Sequence, residues 1–256
     1  MPKHFSLLFL LVSATVLHAQ DDPTRNRTGR TADKPVFAMH LDFGFQTPMD
    51  DLKVRFGNFN SIAVGAWYKF TSQWTIGGTL RPFFGGQVKE PNLLGDMVGP
   101  SGSPIDQNGM LHLVRSYMRG SHWQVQLGRV VPFTSNPHSG LHFQLGMGFI
   151  QHKIKFSYDE RSLPQLNPPY QAGYDRLSNG LALSQSVILQ HVDQKTGLSA
   201  FVGIEAVQGF AESRRDYTFP LRTKETGIRA DNYLSFKGGL LIPVFRKKRD
   251  DEAFFN

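Results

Sequence analysis

From Val36 onward the chain alternates apolar with polar or small residues, and such runs recur eight times before Phe245. In the first, Phe37, Met39, Leu41, Phe43 and Phe45 alternate with Ala38, His40, Asp42 and Gly44. A period of two puts the two sets on opposite faces of an extended chain, so each run predicts a strand. Ser61 to Phe70 predicts the second strand. Trp74 to Phe84 predicts the third, with Thr75, Thr79, Arg81 and Phe83 on one face. The fourth lies within Leu111 to Phe133, where Arg129 interrupts the phase of Trp123, Val125 and Leu127 and suggests a bulge. The stretch LHLVRSYMRGSHW before it either extends this strand or forms its own hairpin around Gly120. Leu141 to Phe149 is the fifth. Its apolar phase then moves to Ile150, Ile154 and Phe156, suggesting a second bulge. Leu181 to Val192, Leu198 to Phe210 and Asn232 to Phe245 complete the set. In the last run Leu234, Phe236, Gly238, Leu240, Ile242 and Val244 oppose Tyr233, Ser235, Lys237, Gly239, Leu241 and Pro243.

The connections decide what the strands build. Thr71 to Gln73, Thr134 to Ser139 and Asp193 to Gly197 are tight, and the segments between these hairpins are long and rich in Gly, Pro and polar residues. An even strand number with short turns at one end and long loops at the other is the organisation of an outer-membrane barrel. The predicted fold is all-β: an eight-stranded antiparallel transmembrane β-barrel with short periplasmic turns, long external loops and both termini periplasmic. Aromatics fall in two bands, as girdles at the membrane interfaces require. Phe37, Tyr68, Phe70, Trp74, Phe133 and Phe245 mark the periplasmic rim. Phe45, Phe59, Phe84, Phe149, Phe210 and Tyr233 mark the outer one. A secreted soluble β-sandwich binding protein, its apolar faces packed inward, is the alternative.

Composition sharpens this picture. The mean hydropathy of −0.30 excludes a bundle of membrane helices, while a barrel tolerates it because alternate residues face lipid. There is no cysteine among the 256 residues, which removes disulfides and thiol chemistry. A basic start at Lys3, an apolar run from Phe5 to Val12 and small residues near Ala19 predict a signal peptide over residues 1–20. Residues 21–35 are a polar lead-in, 36–245 the barrel, and 246–256 a charged periplasmic tail. The net charge of +7 comes from scattered bases, and RKKR at Arg246 to Arg249 is followed at once by acids, so nucleic acid is not an expected partner.

An eight-stranded lumen is filled by side chains, so inward charges must pair. Asp42, Arg81, Glu205 and Lys237 face inward at similar depth, and closing the barrel makes their strands near neighbours, with Ala63 and Gly65 leaving room for Arg81 to reach across. Two acids balance two bases, which reads as a structural network in preference to a proton path. His138 and His142 have helical spacing but lie on a turn and a strand, so no metal site is expected, and no cofactor. His152 reads as a polar rim residue. No Ser/His pair converges in the sequence, so no catalytic residue is assigned. A lipid-modifying enzyme would need such a pair at one rim. In the loops GYDRLSNG and GFAESRRDY, Asp175, Arg176, Arg214 and Arg215 are candidate contacts for another envelope protein, or else staples between loops.

Lys237, Gly239, Ile242, Val244 and Phe245 resemble the C-terminal signal of bacterial outer-membrane barrels, which implies recognition by the barrel assembly machinery. Val36 to Phe245 as a whole resembles the small OmpA/OmpX-like barrels, especially those of Bacteroidetes-type envelopes, with HKIKF, GYDRLSNG and QGFAESRRDY similar to passages in that group. The resemblance implies a non-enzymatic role in structure, assembly or secretion through the external loops. It implies outer-membrane lipid as surroundings, and extends to accessory barrels of type IX secretion, hence to an envelope or secretion-system partner. The peptidoglycan-binding domain of full OmpA proteins is not present in this sequence.

Overall fold

The computed structural model describes residues 34–90, 92–95, 97–98, 103–106, 109–133, 135–193 and 199–245. The signal peptide, nearly all of the lead-in and the charged tail lie outside the described residues.

Eight long strands form one ring: β1 (Val36–Pro48), β2 (Phe59–Lys69), β3 (Trp74–Gly85), β4 (Arg115–Pro132), β5 (Gly140–Ser157), β6 (Ser178–His191), β7 (Ser199–Ser213) and β9 (Tyr233–Phe245). A two-residue strand, β8 (Arg229–Ala230), adds a short pairing to β7. Each long strand is antiparallel to its neighbours in sequence, and β9 returns to pair with β1 from Val36↔Phe245 to Pro48↔Tyr233. The ring is closed. Closure leaves no unpaired strand edge, which matters where no water is present to bond one.

The outward face is apolar over a belt. Phe37 to Phe45, Trp123 to Val131 and Leu141 to Phe149 each cover eight residue steps with mostly large apolar side chains outside. At about 3.4 Å per step and a tilt near 40°, that is a belt about 20 Å tall. Val125 and Leu145 are 66% and 65% exposed, values that a water-soluble protein has no reason to maintain around a full circumference. The belt makes this a transmembrane barrel, with the apolar faces outside and not packed together as in a sandwich. No helix among the described residues is long and apolar enough to span a bilayer, so the strands do the spanning.

Two expectations about the strands are corrected. Arg129 causes no bulge: the ladders run unbroken through Trp74↔Arg129 and Arg129↔Phe143, and Arg129 simply keeps the outward phase, stacked over Trp74. Nor is there a bulge at Ile150, since β5 pairs with β4 continuously from Gly140 to Ser157. What changes there is the surroundings. Beyond Phe149 the outward residues become Gln151, Lys153 and Lys155, and the inward ones Ile150, Ile154 and Phe156. The strand has left the apolar belt, so its outside is polar and its inside packs an apolar plug. β4 behaves likewise and includes Gly120 in its ladder, so LHLVRSYMRGSHW contributes an extension and not a separate hairpin.

The tight connections and both barrel termini gather at one end, the turn end. The four longer connections gather at the other, the loop end. One of them holds a six-residue helix, α1 (Asp50–Arg55), which begins with two acids and ends with two bases, as the helix dipole favours.

Candidate functional site

The lumen at mid-height is occupied by a charge network built on Arg81. Its Nη1 donates to Asp42 Oδ1 at 2.9 Å and to Ser61 Oγ at 3.1 Å, and its Nη2 lies 3.5 Å from Glu205 Oε2. Lys237 Nζ approaches the same Glu205 oxygen at 3.2 Å, and Gln124 donates to the other at 2.8 Å. Arg81 is 1% exposed and Glu205 fully buried. The four charged residues named from sequence therefore meet, but through an arginine hub: Lys237 pairs with Glu205, while Asp42 is held by Arg81, with His40 at 3.7 Å. Small residues make room. Asp42 pairs in register with Ala63 on one side and Gly239 on the other, and a Cβ at Gly239 would sit 2.7 Å from that of Asp42. Toward the turn end, Trp67, His142, Ile188, Phe201 and Leu241 fill the bore, with His142 bonded to Thr75 at 2.7 Å and to Gln190 at 3.0 Å.

The loop end is shut by an apolar plug. Leu52 and Phe56 from the α1 segment pack against Phe59, Phe83, Met118, Ile150, Ile154, Phe156, Leu163, Leu166, Tyr174 and Tyr233. Phe59 and Tyr233 belong to this plug, which corrects their placement in the outer aromatic girdle. Phe45, Phe149 and Phe210 are exposed there as expected. Over the plug lies a polar latch that joins all four longer connections. Arg55 Nε meets Glu90 at 2.7 Å and its Nη2 meets Glu225 at 2.8 Å. Arg176 meets the same two carboxylates at 3.2 and 3.7 Å, and Arg229 reaches Glu225 at 3.2 Å. At the back of the latch His152 Nε2 and Asp231 Oδ2 are 2.7 Å apart, both side chains fully buried and the imidazole edge-on to Phe56. Burial pushes the Asp231 carboxyl up, yet the hydrogen bond and charge of His152, with Arg229 and Arg55 nearby, hold it below its ordinary value.

His152 is thus no rim residue, and the sequence reading missed its acid. The signal was in the phase: on an extended β5, His152 shares a face with Ile150 and Ile154. Arg55, Glu90 and Glu225 were missed too, because nothing local to any of them announces a partner in a distant loop. The loop residues proposed as partner contacts are mostly engaged within the chain. Asp175 and Arg176 are buried. Arg215 makes a two-pronged bond to Asp175, which lifts the guanidinium above its ordinary value although partial burial opposes this. Arg214 is exposed but donates to Asn179 and lies 3.9 Å from Glu212. Of the C-terminal signal residues, Ile242 and Val244 face outward in the belt, while Lys237 and Gly239 face the lumen and shape the charge network.

Among the described residues no group of three His, Cys, Asp or Glu could hold a metal. Hydrogen-bond partners of the histidine rings include Thr75, Thr79, Gln144, Gln190, Tyr233, Asp106 and Asp231.

No family model and no curated protein matches the chain. Among solved structures it is similar to neisserial surface protein A, at 10% identity and a TM-score of 0.41, covering 80% of this chain and 96% of that one. Ail of Yersinia pestis is similar at 10% identity and 0.45, covering 81% and 99%. OprG of Pseudomonas aeruginosa is similar at 11% and 0.43, covering 85% and 99%. The assignment as a closed barrel stands on the strand pairing described above.

Proposed function

We propose that this chain is a non-enzymatic barrel of a Gram-negative outer membrane that presents its loop end as a fixed platform for envelope structure, assembly or secretion. In this reading the loop end faces outward and both termini lie in the periplasm. The observation that carries it is the double closure of the bore. Paired charges fill the lumen at mid-height, and an apolar plug under an ionic latch fills the mouth, which leaves the outer surface and the loops as the parts able to act on other molecules. The charge network then serves to fill and fix the barrel and not to move protons. The finer role, an accessory barrel of a secretion system in a Bacteroidetes-type envelope, is supported by the resemblance in HKIKF, GYDRLSNG and QGFAESRRDY, whose described residues cluster at the loop end. Recognition by the barrel assembly machinery is supported by the residues ending in Phe245.

The test has two parts. Purified protein should run differently on a gel before and after boiling, because a closed ladder resists mild detergent. Inserted in planar bilayers, it should give no steady conductance. A persistent ion current would sink the platform reading, and identical mobility with extraction by carbonate would sink the membrane barrel itself.

A further inference from the structure

Just beyond the belt, β4 and β5 turn a basic face outward. Arg115 and Arg119 on β4 and Lys153 and Lys155 on β5 all lie in the outward phase of their strands, and Arg119 pairs in register directly with Lys153. Residues opposite one another on adjacent strands have Cβ atoms about 5 Å apart, and like charges there repel. The described residues supply no relief. None of the four makes an ion pair with any described residue; the outward neighbour of Arg119 on β3 is Phe84, and on β6 the last outward residue of the ladder is Asn179, opposite Gln151, one outward step nearer the belt than Lys153. Arg119 instead donates to the Met118 carbonyl and lies over the Tyr117 ring. The only nearby outward acid on the next strand round, Glu212, is already beside Arg214.

The position of this face says what it meets. Trp123, Phe149 and Leu181 are paired in register as the last outward apolar residues on β4, β5 and β6. Trp marks the interface between hydrocarbon and headgroups. Arg119 and Lys153 follow four residues later, about 10 Å higher on tilted strands, and their long side chains can reach down to the headgroup layer. A basic surface continuous with an apolar belt is complementary to a molecule that is anionic at one end and apolar at the other.

We propose that Arg115, Arg119, Lys153 and Lys155 form a lateral binding site for phosphorylated lipid headgroups in the leaflet at the loop end. The site rests on the transmembrane reading given above. The lipid's acyl chains lie along Trp123, Phe149 and Leu181, and its phosphate bridges the Arg119 and Lys153 pair, which removes their mutual repulsion. A guanidinium and an ammonium side by side favour a phosphate monoester, whose charge exceeds that of a diester.

Trp123 provides the readout. In a Trp74→Phe background, Trp123 is the remaining tryptophan on the lipid face, since Trp67 is buried inside. The full chain is placed in phosphatidylcholine nanodiscs containing a minor fraction of brominated phosphatidic acid or, in parallel, the same fraction of brominated phosphatidylcholine. Local enrichment should make phosphatidic acid the stronger quencher by roughly threefold or more, an advantage that falls with salt. Arg119→Gln, Lys153→Gln and Lys155→Gln together should bring the two lipids level, while the protein keeps its heat-dependent gel mobility. Equal quenching by the two lipids in the parent protein would overturn the site, as would a preference that survives the triple substitution. Loss of the preference on adding inorganic phosphate equimolar with the lipid would assign the charges to free phosphate and overturn the lipid assignment. If neither lipid quenches Trp123, it is the membrane reading that fails.

Discussion

Ala63 has no functional group, yet the charge network depends on it. It lies beside Asp42 in the β1–β2 register, fully buried, and a larger side chain there would fill the space through which Arg81 crosses to Asp42. The network's asymmetry has a measurable consequence. Arg81 touches both carboxylates and Lys237 touches one, so Arg81→Met should destabilise the barrel by about 3 to 5 kcal/mol, the cost of stranding one member of a buried pair, and Lys237→Met by less. Adding Asp42→Asn to Arg81→Met should restore much of the loss, because Glu205 and Lys237 then remain as a balanced pair. Urea unfolding in lipid, analysed as a double-mutant cycle, measures the coupling. Strictly additive effects would mean that the side chains do not meet. Asp42, Arg81, Glu205 and Lys237 were legible in the sequence because a buried charge on a fixed face must find its opposite. Which of them would be the hub was not, since that depends on side-chain reach across Ala63 and not on phase.

The elements at the loop end belong to a different solvent from the belt, and this is where sequence reading went astray. A change of apolar phase within β5 resembles a bulge only if the surroundings are assumed uniform along the strand. Once the strand rises into water the same alternation continues with its meaning reversed, and His152 is carried inside with Ile150 and Ile154. α1 was overlooked because six residues give too short a pattern to register, although its charged ends and buried Leu52 fit a helix laid over a plug. Its anchorage should respond to acid in a defined sense. Asp231 has its carboxyl held below the ordinary carboxylate value, so its contribution is complete above the unfolded-state value of 3.8 and is lost only as pH falls through the depressed one. Hydrogen exchange at residues 49–56, corrected for intrinsic rate, should therefore stay slow down to mildly acidic pH and quicken only below the carboxylate range, and Asp231→Asn should remove that step. A loss of protection between neutral pH and pH of about 5 would point to a histidine as the controlling group and refute this assignment.

For the whole molecule, the ring of strands and the belt follow from a repeat of two sustained across eight segments, with every second connection a short turn at the same end. Strand number, order and facing were readable for that reason, whereas the latch joins Arg55, Glu90, Arg176 and Glu225 across four connections whose paths no periodicity encodes. The belt itself predicts unequal penalties. Leu240 faces outward in β9 and pairs in register with Leu41 near mid-belt, so Leu240→Arg should cost about 2 to 4 kcal/mol and sharply reduce membrane yield. Leu221→Arg, on an exposed loop-end segment, should leave yield close to that of the parent. Equal yields in membrane fractions would refute the facing of the last strand.

The reversal between Phe149 and Ile150 also fixes where the protein can float. Sliding the barrel two residues toward the turn end would draw the ring of Gln151 into hydrocarbon with Lys153 close behind, and sliding it the other way would lift Phe149 and Trp123 into water. Both movements are opposed, so the molecule has one resting depth and little freedom to adjust it. When the surrounding bilayer is thicker or thinner than the belt, the lipids must stretch or compress around the barrel, which makes the protein a local determinant of membrane thickness and gives it a preference among membrane regions.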